Sequence, residues 1–513
     1  MLVTNTSWDL EADVVVVGHG GAGPVAAITA QEEGADVLIV EKQPQQSHQS
    51  NTSMSGGGVL CPSDVKSGVE YLEALCRVGA ASSWTAQDMI AVWAEYTADN
   101  RAWLAARGGV FEDTPETLVE MPPAAEYPGL PGYQAMARYR FKGSGPGLAN
   151  YLSETVQKRG VRVAYETRAT KLLTNLNGEV VGVEAQSSAG GATKSIRVRA
   201  SQGVVLACGG FEFDEEMKLH YLRVYPTYFT GTPANTGDGV RMAQGVGADL
   251  WHMNCVSAHN IMKFPTFPTA FYAALVPGIW FIPEAGSTAA ASAKECGYVV
   301  VDRYGTRFAN EDLFRATPPR HAYYYELAQF DSQRLVYPRV PSYWIFDQRR
   351  MDLGPLPRRS LGAAGPLRLY EWSEDNSREI AAGWISTAST VRDLAGKLDL
   401  SPDALEDTVN RYNSICQRHN DSDFGRNPST LMPLESPPYC AVRLWPGGAN
   451  TQGGPRRNVK AEVLSADGGP IPGLYSAGEL GSLYGMLYPG AGNLAECVAF
   501  GRIAGQNAAR RKP

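Results

Sequence analysis

A glycine-rich turn between two apolar segments, close to the N-terminus, constrains the fold of this 513-residue chain more than any other feature. Residues 12–17 form a short run rich in β-branched side chains, and it leads directly into Gly18-His19-Gly20-Gly21-Ala22-Gly23. An alanine-rich stretch follows, and a second apolar run over residues 35–40 ends at Glu41. This order predicts a dinucleotide-binding βαβ unit, in which a strand is followed by a tight turn, a helix, a second strand and an acidic residue.

Each residue type in this unit has a physical reason. Gly18 makes the turn, Gly20 allows the backbone to approach a pyrophosphate, and Gly23 allows the helix to pack closely on the strand. The carboxylate of Glu41 can accept a hydrogen bond from a ribose hydroxyl. A Gly-x-Gly-x-x-Gly pattern alone is a weak signal, but this one has its full strand and helix context.

Further elements of the same kind occur downstream. A buried strand meets a glycine turn over residues 203–210, a helix is predicted to begin near Asp238, and a third strand runs into Gly478-Glu479. Together with the N-terminal turn, these motifs resemble the flavoprotein family that contains fumarate reductases, urocanate reductases and 3-ketosteroid dehydrogenases. The resemblance spans nearly the whole chain and implies FAD as the cofactor.

The resemblance also implies the cofactor-binding residues and the mode of binding. In relatives with a histidyl-linked flavin, the matching position in the polar loop of residues 43–55 falls near Ser50 here, not at His48, so non-covalent FAD is expected. The expected cofactor-binding residues are Gly18, Gly20, Gly21, Ala22, Gly23, Glu41, Lys42, Ser50, Thr52, Ser55, Gly56, Gly57, Ala207, Gly209, Gly210, Asp238, Gly478, Glu479, Asn493 and Leu494.

The expected fold class is α/β, with a Rossmann-like FAD-binding domain interrupted by an α+β substrate-binding cap. The FAD-type motifs assign residues 1–270 and 441–513 to the FAD-binding domain and residues 271–440 to the cap. A net charge of −7 gives no reason to expect nucleic acid or an anionic membrane as a partner. No targeting signal or membrane-spanning apolar run is predicted, and a cytoplasmic location is expected. No Cys-x-x-Cys pair occurs, and no metal site is expected.

The C-terminal segment Tyr488-Pro489-Gly490-Ala491-Gly492 indicates the substrate class. Dicarboxylate reductases of the family place an arginine where Pro489 stands, because a guanidinium is well suited to hold a carboxylate. The segment instead resembles the Tyr-Pro-Gly-x-Gly of the 3-ketosteroid dehydrogenases. That resemblance implies that the hydroxyl of Tyr488 and the backbone N–H of Gly492 grip a ketone oxygen.

Several residues are candidates for the acid–base group, and the sequence does not decide between them. Counting from Phe308-Ala309-Asn310-Glu311, the position of the proton-delivering arginine of fumarate reductases falls on Arg315. A guanidinium stays protonated at neutral pH, so it suits proton delivery better than proton removal. The phenols of Tyr323, Tyr324 and Tyr325 follow closely, and packing roles are the alternative for all four residues. Tyr127 and Tyr133 lie in a Pro/Gly-rich loop, and the resemblance to the steroid enzymes implies that one of them hydrogen-bonds the acid–base residue.

These expectations converge on an FAD-dependent oxidoreductase acting on the CH–CH bond next to a ring ketone. The predicted activity is that of a 3-ketosteroid Δ1- or Δ4-dehydrogenase or of a smaller cyclic-ketone desaturase, with an external electron acceptor. One alternative is an enone reductase that uses Arg315 as proton donor and draws on an electron donor. The other is a flavin-binding protein without turnover.

Overall fold

The computed structural model describes residues 7–78, 82–112, 127–277, 296–315 and 321–512, with Arg315 described by its backbone alone. The chain forms two compact units. The first comprises Met1–Leu222, Gly231–Val256 and Asn450–Pro513, and the second comprises Arg223–Thr230 and Ser257–Ala449. The assignment of substrate binding to residues 271–440 stays a prediction.

The strands of the described residues, in chain order, are β1 (Leu10–Val17), β2 (Val37–Val40), β3 (Gly58–Pro62), β4 (Arg77–Val78), β5 (Ser82–Ser83), β6 (Met136–Arg140), β7 (Arg162–Ala164), β8 (Thr167–Thr174), β9 (Val180–Ser187), β10 (Lys194–Leu206), β11 (Tyr228–Phe229), β12 (Leu250–Trp251), β13 (Val256–Ala258), β14 (Ile261–Met262), β15 (Phe271–Tyr272), β16 (Tyr298–Val301), β17 (Ser342–Phe346), β18 (Ser386–Ala388), β19 (Tyr439–Trp445), β20 (Gly447–Thr451), β21 (Gly454–Pro455), β22 (Glu462–Leu464) and β23 (Pro470–Ser476).

The α-helices of the described residues are α1 (Ala22–Glu32), α2 (Val65–Cys76), α3 (Gln87–Ala98), α4 (Asn100–Ala105), α5 (Ser144–Lys158), α6 (Glu215–Tyr221), α7 (Asp238–Gln244), α8 (Asp312–Arg315), α9 (His321–Leu327), α10 (Gln348–Asp352), α11 (Ser377–Ala381), α12 (Val391–Lys397), α13 (Pro402–Arg418) and α14 (Gly492–Arg510).

A mostly parallel sheet forms the centre of the first unit. Its strand order is β22-β23-β10-β1-β2-β7, and the hairpin β8-β9 joins it on β10. Strand β1 is parallel to both β2 and β10, and its last four residues are buried valines, as both faces of a covered parallel sheet require. The predicted βαβ unit is therefore present.

Helices α1 and α14 pack against each other at glycines of α14. A Cβ atom on Gly501 would lie 2.9 Å from the Cβ of Val25, and one on Gly505 would lie 3.0 Å from the carbonyl carbon of Ala26. A larger residue at either position would push the helices apart. The C-terminal helix is in this way fixed against the helix that follows the N-terminal glycine turn. The mostly parallel sheet and the helices packed on it confirm the predicted α/β class.

The second unit is built on an antiparallel sheet of order β15-β14-β19-β17-β16, with β18 paired to β19. An aromatic core that includes Phe264, Phe271, Trp344 and Trp372 forms one apolar cluster. A second cluster packs α12 and α13 onto the sheet. Helix α13 begins as the sequence predicts, because the side chain of Ser401 caps it and Pro402 occupies its first position.

A buried ion cluster anchors the segment that leads to Arg315. The guanidinium of Arg307 lies 2.6 Å from a carboxylate oxygen of Glu311 and 2.9 Å from one of Asp421, and Arg426 also approaches Glu311 at 3.7 Å. Glu311 is fully buried, so these cations supply the compensation that its charge needs. The chain then enters the short helix α8, which ends at Arg315.

Among the helices of the described residues, none combines the length and the apolar character needed to cross a bilayer.

Candidate active site

A cleft opens at the carboxyl ends of β1, β2 and β10 in the first unit. Clefts at this edge of a parallel sheet are the usual ligand sites of doubly wound folds. The predicted cofactor-binding residues that line it are Gly18, Gly20, Gly21, Ala22, Glu41, Lys42, Ser50, Thr52, Ala207, Gly209, Asp238, Gly478 and Glu479.

The other predicted cofactor-binding residues lie outside this lining: Gly23, Ser55, Gly56, Gly57, Gly210, Asn493 and Leu494. Gly23 has the packing role that the sequence assigns to it, since a Cβ atom there would collide with the carbonyl oxygen of Gly18. Ser55 and Gly57 form a turn in which the serine hydroxyl accepts the N–H of Gly57 at 3.1 Å. For this second group, contact with a cofactor stays a prediction.

Gly18 has a backbone conformation that favours glycine. Its φ is +104°, and a Cβ atom would lie 2.6 Å from the carbonyl oxygen of Ala207. At Gly21 a Cβ atom would lie 2.6 Å from the hydroxyl oxygen of Thr52. Helix α1 begins directly after Gly21, so its first unpaired N–H groups face the cleft, where an anion is stabilised.

Glu41 is held as an ionised acceptor at the end of β2. Its two carboxylate oxygens accept the backbone N–H groups of His19 and Gln43, both at 2.8 Å. Burial opposes ionisation, but hydrogen bonds from His48 and from the backbone of Gln43 outweigh it and keep the pKa of Glu41 below its ordinary value. Each oxygen keeps a further lone pair, so the carboxylate can also accept a ribose hydroxyl.

Lys42 and Asp238 line the cleft but bind each other. The ammonium of Lys42 lies 2.8 Å from one carboxylate oxygen of Asp238, and the guanidinium of Arg168 lies 2.6 Å from the other. Burial of Asp238 opposes ionisation, but the hydrogen bonds and charges of these two cations lower its pKa overall. The three charges form a chain between the end of β2, helix α7 and strand β8.

The predicted ketone-binding residues lie at the N-terminus of α14. The hydroxyl of Tyr488 accepts the backbone N–H of Asn493 at 2.9 Å, and the side-chain amide of Asn493 donates to Asn450 at 2.6 Å. Two donor groups of Asn493 are thus bonded within the protein, and its contact with the cofactor stays a prediction. Accepting an N–H polarises the phenol and makes its O–H a stronger donor.

Gly492 is held in place by a residue that the sequence did not single out. The phenol of Tyr484 donates to the carbonyl oxygen of Gly492 at 3.1 Å and accepts the indole N–H of Trp93 at 2.9 Å. The ring of Tyr484 also meets that of Tyr488 edge to face, with centroids 5.5 Å apart. Tyr484 is fully buried, so its hydroxyl needs both bonds.

The acid–base candidates differ in their surroundings within the second unit. The phenol of Tyr323 is fully buried and is hydrogen-bonded to the hydroxyl of Ser342, and its ring packs against Phe314 at 4.8 Å. Burial raises the pKa of Tyr323 far above its ordinary value, which argues against the predicted acid–base role. Tyr324 is also buried, and the backbone places Arg315 at the end of α8.

Tyr127 lies in the first unit, partly buried against its main core, with a left-handed φ of 65°. Its backbone carbonyl accepts the N–H of Leu130, which closes the turn that the Pro/Gly-rich sequence predicts. The expected support of the acid–base residue stays a prediction.

Several polar residues of the cleft escaped the sequence patterns. Asn51 and Asn235 donate to the carboxylate of Glu479 at 2.9 and 2.7 Å, and Asn51 also accepts the backbone N–H of Thr232. Asn235 stands in the segment that predicts α7, but neither asparagine has a spacing that marks it as a ligand. Only the fold brings them together.

The model of the FAD binding domain family matches residues 13–494. The chain belongs to this family. Members are FAD-dependent oxidoreductases, and the predicted recognition, enzyme class and cofactor are thereby confirmed.

Similar members of the family carry several activities. The 3-oxosteroid 1-dehydrogenase of Mycobacterium tuberculosis is 29% identical, with 96% of this chain and 97% of that protein covered. The NADH:fumarate oxidoreductase of Klebsiella pneumoniae is 27% identical over 97% of this chain and 48% of that protein. The solved 3-ketosteroid Δ1-dehydrogenase of Sterolibacterium denitrificans has the same fold, with a TM-score of 0.76 at 22% identity over 97% and 99% of the two chains.

The residues of the cleft fit FAD. The ionised Glu41 would accept a hydroxyl of the ribose, and the N–H groups at the start of α1 would hold the pyrophosphate. Gly20 also lines the cleft, and a Cβ atom there would meet only the Cβ of Ser50 within 4 Å, at 3.8 Å, so the backbone has room on its cleft side. Glu479 faces the same cleft with hydrogen-bonding capacity for a hydroxyl-bearing chain.

Glu41→Gln is expected to raise the dissociation constant of FAD by about 10- to 100-fold, since a charged hydrogen-bond acceptor is worth about 1.5–3 kcal/mol. Flavin fluorescence that appears on dilution of the holoenzyme measures this constant. The matched control is Glu154→Gln, which removes one charge from the exposed face of α5. An unchanged constant in Glu41→Gln would show that Glu41 does not hold the cofactor.

Proposed function

We propose that this FAD-dependent oxidoreductase introduces a C=C bond next to the ketone of a cyclic substrate, with a 3-ketosteroid or a smaller cyclic ketone as substrate class. The observation that carries the proposal is the phenol of Tyr488, which accepts the N–H of Asn493 at 2.9 Å beside the N-terminus of α14. The relative named 3-oxosteroid 1-dehydrogenase, matched over nearly the full length of both chains, supports it.

The residue beside Tyr488 supports a ketone rather than a carboxylate. Pro489 cannot donate a hydrogen bond from either its backbone nitrogen or its side chain. A dicarboxylate would need a cation here to balance its charge. A neutral carbonyl needs donors alone, and the Tyr488 phenol and the N–H of Gly492 are neutral donors.

In the proposed mechanism, Tyr488 and Gly492 stabilise negative charge on the ketone oxygen. This charge acidifies the hydrogen on the α-carbon, which leaves as a proton to a basic group of the protein. Bound FAD supplies the acceptor for the hydride of the neighbouring carbon, with both of its electrons. The electron pair left by the proton forms the new C=C bond, and an external electron acceptor completes turnover.

For the proton acceptor we favour the half-buried Tyr325 over the buried Tyr323 and Tyr324 and over Arg315. The Tyr323 phenol is enclosed with Ser342, and burial raises its pKa, so ionisation is strongly opposed. A guanidinium remains protonated at neutral pH and has no lone pair to offer a proton.

Anaerobic mixing of the oxidised holoenzyme with saturated cyclic ketones and 3-ketosteroids tests the proposal. We expect at least one ketone to bleach the flavin absorbance, with the unsaturated ketone as product. A panel in which no saturated ketone bleaches the flavin, while enones reoxidise the dithionite-reduced enzyme, would contradict it. A flavin spectrum that no ketone perturbs would instead favour a protein without turnover.

The second candidate is the reverse activity, a C=C reductase. Arg315 follows Phe308-Ala309-Asn310-Glu311 at the spacing of a proton-delivering arginine, and the similarity to an NADH:fumarate oxidoreductase supports it. In this direction Arg315 would deliver a proton to the α-carbon. The same anaerobic experiment distinguishes the two directions. A saturated ketone bleaches the oxidised flavin in a desaturase, whereas an enone reoxidises the reduced flavin in a C=C reductase.

A further inference from the structure

Two carboxyl groups, those of Glu479 and Glu212, approach the same glycine, Gly210, at the FAD cleft. Glu479 follows the turn after β23, and one of its oxygens accepts the backbone N–H of Gly210 at 3.4 Å. A Cβ atom on Gly210 would lie 2.7 Å from a carboxylate oxygen of Glu212. Glycine at this position therefore leaves room for the carboxyl group of Glu212 and the hydroxyl of Thr451. Glu212 stands outside the residues that the sequence motifs assigned to the site.

The hydrogen-bond partners of both carboxyl groups are neutral. Glu479 accepts from the side-chain amides of Asn51 and Asn235 at 2.9 and 2.7 Å. Glu212 accepts from the backbone N–H and the hydroxyl of Thr451 at 2.7 and 3.1 Å. Glu212 is only 1% exposed, and its second oxygen, Oε2, is buried with no hydrogen-bond partner in the part of the chain that the structure describes.

The charged groups packed around the pair leave it uncompensated. The guanidinium of Arg457 donates to the carbonyl of Gly478 at 3.3 Å, but it forms a buried ion pair with Glu496 on α14. The thiol of Cys497 also faces Glu479, and burial raises its pKa, so it stays neutral. The Arg457 charge is thus matched by Glu496, and it is not available to balance Glu212 and Glu479.

We propose that Glu212 and Glu479 hold one proton between them at neutral pH, so that the pair presents a single negative charge to bound FAD. Two like charges whose hydrogen-bond partners among the described residues are all neutral strongly disfavour double ionisation. With the proton on Glu212, its unpartnered oxygen Oε2 no longer belongs to a charged carboxylate, which costs more to bury than a neutral carboxyl group. In line with this, burial and the charge of Glu212 raise the pKa of Glu479 to about 8.

The shared proton links cofactor binding to pH. Glu479 lines the cleft, so FAD would displace water from it and bring a pyrophosphate with two negative charges into the same cleft. Both effects favour the protonated pair, and the pKa of the pair is then higher with FAD than without it. Binding takes up a proton between these two pKa values, and the affinity for FAD falls as the pH rises above about 8.

The dissociation constant of FAD, measured by flavin fluorescence on dilution of the holoenzyme between pH 6.5 and 9.5, tests the proposal. For the unaltered protein, the logarithm of the constant should be flat below neutral pH and rise toward a slope of about one per pH unit above pH 8. In Glu212→Gln the like charge is gone and Glu479 ionises at lower pH, so the curve should be flat from pH 7.5 upward. Glu154→Gln should follow the unaltered protein. A flat curve for the unaltered protein, or the same rise in Glu212→Gln, overturns the proposal.

Infrared spectra of the holoenzyme provide a second test that needs no folded variant. The carbonyl stretch of a protonated carboxyl group should be present at pH 7 and decrease only when the pH exceeds the raised pKa of the FAD-bound pair. Glu212→Gln, where it folds, should lack this titrating band, and Glu154→Gln should keep it. A spectrum of the unaltered holoenzyme without a protonated carboxyl band at pH 7 overturns the proposal.

Discussion

Tyr488→Phe is expected to lower kcat/KM for a cyclic ketone by about 10²- to 10³-fold, which is the usual loss when one donor to a developing oxyanion is removed. The substitution keeps the ring that packs against Tyr484 and removes only the hydroxyl that accepts the N–H of Asn493. FAD content and thermal stability should therefore remain close to those of the unaltered protein. Steady-state kinetics with a dye acceptor measure kcat/KM, the flavin spectrum measures the FAD content, and a thermal melt measures the stability.

Tyr475→Phe is the matched control for this substitution. Tyr475 is also buried, and its hydroxyl donates to the backbone carbonyl of Asn507 at 3.3 Å, at the other end of α14. The Tyr475→Phe substitution should leave kcat/KM unchanged. A Tyr488→Phe enzyme with full activity on every ketone that the unaltered enzyme converts would exclude Tyr488 as the polarising group.

Gly492→Ala is expected to lower kcat/KM by about 10²-fold, since displacing a catalytic donor by about 1 Å costs a factor of this size. The new Cβ atom would lie 2.7 Å from Pro489 and 2.8 Å from the phenol of Tyr484, so the first turn of α14 must shift. This shift moves the N–H of residue 492 away from the ketone oxygen. The loss should appear in kcat/KM with the same dye-coupled assay.

The control for the glycine substitution is Gly469→Ala, because a Cβ atom at Gly469 meets no atom within 4 Å and its backbone is not left-handed. Gly469→Ala should leave kcat/KM in the dye-coupled assay unchanged. Full activity of Gly492→Ala would show that the backbone of residue 492 does not hold the substrate.

Local patterns were sufficient to predict the dinucleotide-binding part of the fold. The run of valines before Gly18 becomes β1, the run before Glu41 becomes β2, and α7 begins at Asp238 as expected. These elements depend on the period of the apolar residues and on backbone angles at glycine, which neighbouring residues determine.

Contacts between distant parts of the chain were beyond the sequence. Trp93 and Tyr484 are separated by 391 positions, and nothing in the local sequence of either residue indicates that they share a hydrogen bond. Glu212 lies two residues after a glycine turn, and its local sequence predicts an ordinary exposed acidic residue. The fold instead buries it near Glu479. The Tyr323 phenol was a candidate for proton transfer by position alone, and only its enclosure with Ser342 argues against that role.

The chain of charges formed by Lys42, Asp238 and Arg168 bears on how the enzyme acquires its cofactor. It ties the ends of three separate elements together at the cleft through contacts within the protein itself. The ribose end of the cleft is therefore preorganised, and the entropy of ordering it is lost during folding rather than during binding. Reconstitution with free FAD at this end should then be a simple docking event, with kinetics first order in FAD and no slow ordering phase.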